Sequence, residues 1–246
     1  MLVISNGMLR SGSTLQYNIA RMVLEAHYDL KHIGFMGDFA KPKTLARLEN
    51  LRDQDRWSII KTHEPPLPRD FYTDRVRVLF SYRDVRDIAA SIRKKWDYPF
   101  EKILSDVDAM VQIHAAFTDI PSVLVQPYDL LYLNMLTAIH QIASYIGVDV
   151  NDGEACGIAD MLSVDSVRNK IEQRSKNQFI HLLGKVIGRF RIDRRTQMHE
   201  NHISVSKGRG GDWINRFTAE EIAVIEHRYA DWLNVHGYLI GYCSVL

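Results

Sequence analysis

This sequence of 246 residues has few cysteines, no long apolar run and almost no excess of charge of either sign. No window approaches the roughly 20 apolar residues that a membrane-spanning helix requires. The two cysteines, Cys156 and Cys243, are too few for a disulfide framework and lack the spacing of metal ligands. A formal net charge of +1 is untypical of proteins that bind DNA or heparin, whose surfaces usually carry a large basic excess. These absences argue against a membrane protein, a secreted disulfide scaffold and a nucleic-acid-binding protein.

The first residues, MLVISNGMLR, also lack the features of a secretory signal. No basic segment precedes the apolar run, and that run is far shorter than the roughly 7–15 apolar residues of a signal peptide. We therefore expect a cytoplasmic protein without a membrane partner.

The composition that is present, 46% hydrophobic and 25% charged residues, is typical of a globular protein. One stretch departs from the average, because residues 166–211 contain 11 Lys or Arg against 3 Asp or Glu. A basic segment in an otherwise balanced chain favours a small anionic ligand over a polyanion. A solvated loop rich in Lys and Arg is the alternative interpretation.

Apolar runs alternate with stretches of helical periodicity along most of the chain. This alternation predicts an α/β fold in which a central parallel sheet is flanked by helices, a three-layer, P-loop-like arrangement. No repeat or linker interrupts it, so we expect one domain over residues 1–246. The predicted strands are Met1–Ser5, Trp57–Ile60, Val76–Phe80 and Val123–Val125, and helices are predicted from Ser13, after Arg83, before Gly147 and from a capping box at Thr218–Glu221.

The segment GMLRSGST, residues 7–14, lies between the first predicted strand and the first helix. Gly7, Gly12 and Thr14 fit the phosphate-binding P-loop pattern, but Ser13 stands where that pattern has a lysine. A glycine turn at a helix start still offers backbone N–H groups, hydroxyls and the helix dipole to an anion. The alternative is a tight turn in which Ser or Thr simply caps the helix.

Ligands of open parallel sheets bind outside the carboxyl ends of the strands. The predicted strands deliver Lys61, His63, Arg83 and Tyr128 to that edge, close to the glycine loop. A nucleoside triphosphate site would instead need an acidic residue at the end of a strand to bind magnesium. The residues therefore favour an anion neutralised by protein cations, with Arg10 supplying the charge that a lysine at position 13 would give.

His63 is a candidate general base because a neutral imidazole accepts protons near pH 7. Lys61, two residues earlier on an extended strand, points to the same side and would stabilise developing charge. Arg83 and Ser91 could meet one ligand over the start of a helix. A structural histidine and a surface salt-bridge pattern within residues 83–87 are the alternatives.

Taken in order, five segments resemble the sulfotransferases that use 3′-phosphoadenosine 5′-phosphosulfate (PAPS). Residues 9–14 resemble the family's 5′-phosphosulfate loop, and residues 61–63, Lys-Thr-His, are similar to the segment that carries the base. Residues 83–91 resemble the 3′-phosphate motif, with the spacing between its arginine and serine intact. Tyr128 takes the place of a tyrosine beside the adenine, and residues 207–213 are similar to a loop that closes on the 3′-phosphate.

The resemblance implies PAPS as the sulfuryl donor, adenosine 3′,5′-bisphosphate (PAP) as the product, and no metal. It implies that His63 takes a proton from a hydroxyl or amine of a small-molecule acceptor, while Arg10 and Lys61 neutralise charge during transfer. Residues 30–56, 95–105 and 166–205 are expected to wall the acceptor site. The resemblance assigns donor binding to Arg10, Ser11, Gly12, Ser13, Thr14, Arg83, Ser91, Tyr128, Lys207 and Gly208.

Two other functions remain open from the residues alone. A P-loop kinase of a small molecule would share the fold but would need ATP and a magnesium site. A catalytically silent nucleotide-binding protein would keep the loop and lack turnover.

Overall fold

A computed structural model describes residues 1–169, 195–198 and 210–241 of the chain. The strands in these ranges are β1 (Leu2–Gly7), β2 (Leu30–Phe35), β3 (Trp57–Lys61), β4 (Val76–Tyr82) and β5 (Val123–Pro127). The helices are α1 (Ser13–His27), α2 (Pro42–Asp53), α3 (Val85–Trp96), α4 (Phe100–Thr118), α5 (Tyr128–Leu133), α6 (Met135–Ile146), α7 (Asp152–Leu162), α8 (Ala219–Arg228) and α9 (Ala230–Val235).

The strands form one parallel sheet in the order β2-β3-β1-β4-β5. Successive side chains of a strand point to opposite faces, so β1 sends Leu2 and Ile4 into one apolar core and Val3 into the other. Helices α3 and α4 cover the first face, and α1 and α6 cover the second. This arrangement confirms the predicted α/β class, with a central parallel sheet between two helical layers.

The central position of β1 decides where the functional residues meet. Its neighbours are β3 and β4, so the carboxyl ends of three adjacent strands lie side by side. Neighbouring strands are about 5 Å apart, which brings the glycine loop, Lys61 and Arg83 to one short edge.

The helix prediction near the carboxyl end needs one correction. The capping box forms as predicted, since Thr218 Oγ1 accepts from Glu221 N and the Glu221 carboxylate accepts from Thr218 N. The spacing of Ile222, Ile225, Tyr229 and Trp232 also predicts one continuous helix after the capping box. This prediction is wrong, because Tyr229 (φ −115°, ψ 22°) separates α8 from α9. At the break, Tyr229 Oη lies within hydrogen-bond distance of two acceptors on α4, Leu104 O (3.0 Å) and Asp108 Oδ1 (2.9 Å).

No helix in the described ranges is long and apolar enough to cross a membrane. The prediction of one domain also concerns residues outside those ranges, and it stays a prediction.

Candidate active site

The glycine loop is held tightly against β4. Met8 N donates to Ser81 O (2.9 Å), and a Cβ atom on Gly7 would lie only 2.3 Å from Ser81 Oγ. Ser11 is fully buried, and its hydroxyl contacts both Met8 O (2.7 Å) and Ser81 Oγ (2.8 Å). Ser11 therefore fixes the shape of the loop, and its direct contact with a donor stays a prediction.

The loop turns into α1 through a left-handed residue. Gly12 has φ 84°, a conformation that L side chains rarely adopt, and helix α1 begins at the next residue. A Cβ atom on Gly12 would lie 3.2 Å from the Tyr128 ring and 3.3 Å from the Tyr132 ring. The predicted residues Ser13 and Thr14 thus form the first turn of α1, where helix N–H groups favour an anion.

Arg10 lies inside the loop in a left-handed conformation, with φ 64°. Its Nε atom donates to Ser91 Oγ of α3 at 2.8 Å. Burial, and then the positive charge of Arg83, lower the pKa of Arg10, so the two guanidinium groups are electrostatic neighbours. Arg10 and Ser91 are therefore in direct contact, which their separation in the sequence did not reveal.

His63 lies between the loop and Lys61. Its Nδ1 atom is 2.8 Å from Gly7 O, and its Nε2 atom is 3.1 Å from Lys61 Nζ. A carbonyl oxygen only accepts hydrogen bonds, so the network assigns the proton to Nδ1 and leaves Nε2 as an acceptor. This is the tautomer that a general base acting through Nε2 requires.

Burial governs the protonation of both residues. Burial, reinforced by the charge of Lys61, lowers the pKa of His63 to about 3, so the imidazole is neutral near pH 7. Burial and the charge of Arg10 lower the pKa of Lys61 to about 8. Near pH 7 the pair therefore combines a neutral imidazole with a lysine whose pKa is close to the pH of the solution.

Arg83 is buried at the end of β4, and its environment suits an anion. Its guanidinium lies 4.0 Å from the centre of the Tyr128 ring, and it forms a 3.3 Å ion pair with Asp87. Its Nε atom is buried and has no hydrogen-bond partner among the described residues. A buried donor without a partner is costly, so a ligand oxygen at this point would be stabilised.

The interpretation of residues 83–87 as a surface salt-bridge pattern is wrong. Asp84 and Asp87 are buried, because α3 turns them towards the carboxyl-terminal part of the chain. Asp84 pairs with Arg86 (2.7 Å), and Arg86 continues to Glu226 of α8 (2.6 Å). The motif is therefore an internal framework that holds α3 in place.

Asp87 also connects the site to the end of the basic loop. Its carboxylate accepts from Gly211 N at 3.0 and 3.2 Å, and a Cβ atom on Gly210 would lie 2.7 Å from Asp87 Oδ2. The predicted donor-binding residues Lys207 and Gly208 lie outside the described residues. The contact between Asp87 and Gly211 nevertheless brings the described end of that loop beside Arg83.

The predicted site residues that the structure describes thus gather at one edge of the sheet. Sequence reasoning missed Tyr132, whose ring lies 4.4 Å from that of Tyr128 at an interplanar angle of 31°, and the anchoring role of Asp87. Tyr132 follows Tyr128 by one helical turn, which a helix prediction starting at Tyr128 would have revealed. Within the described ranges, no group of three or more His, Cys, Asp or Glu side chains could hold a metal ion.

Comparison with known proteins gives a family match and related folds. Residues 3–237 match the family described as the sulfotransferase domain. A flavonol sulfotransferase-like protein of Flaveria bidentis is 25% identical over 202 residues, which are 72% of this chain and 62% of that protein. The chain therefore spans less than two thirds of the length of this curated relative.

Solved structures share the fold at low sequence identity. A mouse sulfotransferase, SULT7A1, complexed with PAP has a TM-score of 0.61 at 16% identity, covering 95% of this chain and 84% of that one. Retinol dehydratase in complex with retinol and PAP has a TM-score of 0.60 at 17% identity, covering 94% of this chain and 81% of that one. These likenesses extend over most of the chain and show a common fold.

Proposed function

Because the chain belongs to the sulfotransferase domain family, we propose that it transfers the sulfuryl group of PAPS to a hydroxyl or amine of a small-molecule acceptor. One observation carries the proposal: a neutral His63, with Nε2 as acceptor, lies against Lys61 at the edge where the glycine loop and Arg83 also meet. In this proposed function, residues 1–246 form one sulfotransferase domain of a cytoplasmic protein.

The described residues fit an anionic adenine nucleotide. PAPS, when bound, supplies an electrophilic sulfuryl group and a leaving group that already carries negative charge. Arg83 offers a buried Nε–H that has no hydrogen-bond partner in the part of the chain that the structure describes, and the Tyr128 ring, centred 4.0 Å from its guanidinium, provides an aromatic surface. The first turn of α1 offers N–H groups to the 5′ end, while Arg83 and Ser91 suit the 3′-phosphate.

His63 and its neighbours account for the chemistry of the acceptor. His63 Nε2 accepts the proton of the attacking hydroxyl or amine, because Gly7 O holds the ring by its Nδ1–H. Lys61 and Arg10 stabilise the negative charge that develops on the transferred group and the leaving oxygen. The burial of Lys61 and the partial burial of Arg10 strengthen this stabilisation, since charges interact more strongly away from bulk water.

Ligand binding and turnover test the proposal in two steps. The melting temperature is measured with PAP and, separately, with ATP and magnesium; preferential stabilisation by PAP is expected, and preference for ATP would favour a kinase. Labelled PAPS is then incubated with alcohols, phenols, amines and sugars. PAP binding without transfer to any acceptor would identify a silent nucleotide-binding protein.

A further inference from the structure

We propose that the acceptor carries an anionic group of its own, a carboxylate, sulfate or phosphate, and that Lys95 binds it beside an aromatic surface. The inference rests on the proposed function, since it assigns a class of acceptor to the same site.

The position of Lys95 on α3 supports this assignment. Ser91 contacts Arg10 at 2.8 Å, and Lys95 follows Ser91 by four residues. Residues four apart share one face of a helix and are about 6 Å apart along its axis. Lys95 therefore extends the face that already borders the cationic site, at the more exposed end of the helix.

The charge of Lys95 is felt within the site. Burial is the main reason that the pKa values of Lys61 and His63 are lowered, and the ammonium of Lys95 adds to both shifts. Burial and then the charge of Arg10 lower the pKa of Lys95. Among the described residues, no carboxylate lies within ion-pair distance of Lys95. An exposed cation near a base, without an acidic partner in these ranges, would gain by binding an anion.

One aromatic ring lies beside this cation, and another lies beside the base. Lys95 Nζ lies 4.3 Å from the centre of the Trp96 ring, which stacks on Tyr98 at 5.8 Å with an interplanar angle of 11°. Phe35, at the end of β2, is 54% exposed, and its ring lies 6.1 Å from that of His63. Exposed rings next to a reactive group suit a planar or apolar acceptor body. The combination favours an acceptor with an apolar body, a reactive hydroxyl or amine, and a separate negative charge.

Paired acceptors that differ only in charge test the inference. The probes are hydroxyaryl and hydroxyalkyl carboxylic acids, such as 3-(4-hydroxyphenyl)propanoate, each with its methyl ester. Dissociation constants are measured by calorimetry with the protein bound to PAP, and kcat/KM is measured with PAPS. The variants are Lys95→Met, Lys95→Arg, and Lys94→Met as the matched control, because Lys94 is exposed on the same turn and faces elsewhere.

The affinity for each acid, divided by the affinity for its ester, separates recognition of the negative charge by Lys95 from a general effect of Lys95 on the site. In the wild-type protein, we expect acids to bind and react better than their esters. Lys95→Met should weaken acid binding about tenfold, which is about 1.4 kcal/mol, and change ester binding less than about twofold. Lys95→Arg should restore most of the preference, and Lys94→Met should leave it unchanged.

Two results would overturn the inference. The first is that no acid in the panel binds better than its ester. The second is that Lys95→Met weakens acid and ester equally, which would assign Lys95 to the donor or to Lys61. Either result is compatible with sulfuryl transfer. The absence of PAP binding and of turnover would instead contradict the proposed function.

Discussion

The Nε atom of Arg10 donates a 2.8 Å hydrogen bond to Oγ of Ser91 and so joins the glycine loop to α3. Arg10 has a left-handed backbone, with φ 64°, which costs a non-glycine residue about 1–2 kcal/mol. The contact offsets part of this cost and fixes the direction of the guanidinium. Ser91 is therefore a positioning residue for Arg10 as well as a candidate ligand of the 3′-phosphate.

Ser91→Ala should lower the affinity for PAP and the kcat/KM for PAPS. A hydrogen bond to a charged group contributes about 1.5–3 kcal/mol, so we expect a loss of roughly tenfold to a hundredfold. Calorimetry with PAP and initial rates with PAPS measure the two effects. Ser144→Ala, an exposed change on α6, is the matched control. Unchanged PAP affinity in Ser91→Ala would contradict both roles.

His63→Ala should lower kcat by roughly 10²–10⁴ if the histidine is the general base. PAP binding should persist, because the predicted donor contacts come from the glycine loop, Arg83 and Tyr128. His227→Ala, an exposed histidine of α8, should behave as the wild type. Turnover of His63→Ala close to the wild-type value would remove His63 from that role.

The acid limb of the pH profile of kcat/KM should lie at lower pH than in an enzyme whose histidine base has an unshifted pKa. A base must be neutral, and a pKa of about 3 keeps His63 neutral far below the usual value of about 6.5. We therefore expect activity to persist at pH 5, with the acid limb below that value. Activity should fall above pH 8, because Lys61 has a pKa of about 8 and loses its charge there.

Lys61→Arg provides the control for the alkaline limb. An arginine stays protonated across this range, so the decline above pH 8 should disappear in this variant even if its rate is lower. An acid limb near pH 6.5 in the wild-type protein would contradict the assigned environment of His63.

Glu226→Ala should destabilise the protein. The Glu226 carboxylate accepts from Arg86 Nη1 at 2.6 Å and from Gly241 N at 3.1 Å, and both carboxylate and guanidinium are buried. Asp84 still pairs with Arg86 in this variant, so the loss is that of a hydrogen bond to a charged group, about 1.5–3 kcal/mol. Urea unfolding measures this cost. Glu49→Ala, an exposed change on α2, should stay within about 0.5 kcal/mol of the wild type.

The sequence allowed a good prediction of the elements that carry the site. Strands β1, β3, β4 and β5 have dense apolar runs, and α1 begins at Ser13 as the pattern indicated. Strand β2 was missed because LKHIGF includes polar residues and a glycine, as an edge strand tolerates. Helix α2 was missed because only Leu48 and Leu51 of its residues are buried, which leaves a weak apolar stripe.

Within the site, local sequence indicated residue types but could not indicate long-range contacts. The pattern placed Lys61 and His63 on one side of β3, yet the bond from His63 to Gly7 O depends on the pairing of β3 with β1. Likewise, Asp87 reads as a surface acid, since nothing nearby in the sequence shows that Gly211 will donate to it. Such contacts arise from the packing of distant segments.

The 3.1 Å contact between Lys61 Nζ and His63 Nε2 bears on the order in which substrates act. The Lys61 ammonium donates to the lone pair of His63 Nε2 that must receive the acceptor's proton. Lys61 therefore has to move away before His63 can accept that proton. An anion at the adjacent cationic edge would draw Lys61 away. We therefore expect a compulsory order of binding in which the donor enters first. In the empty site, a water molecule would find His63 Nε2 already hydrogen-bonded to Lys61.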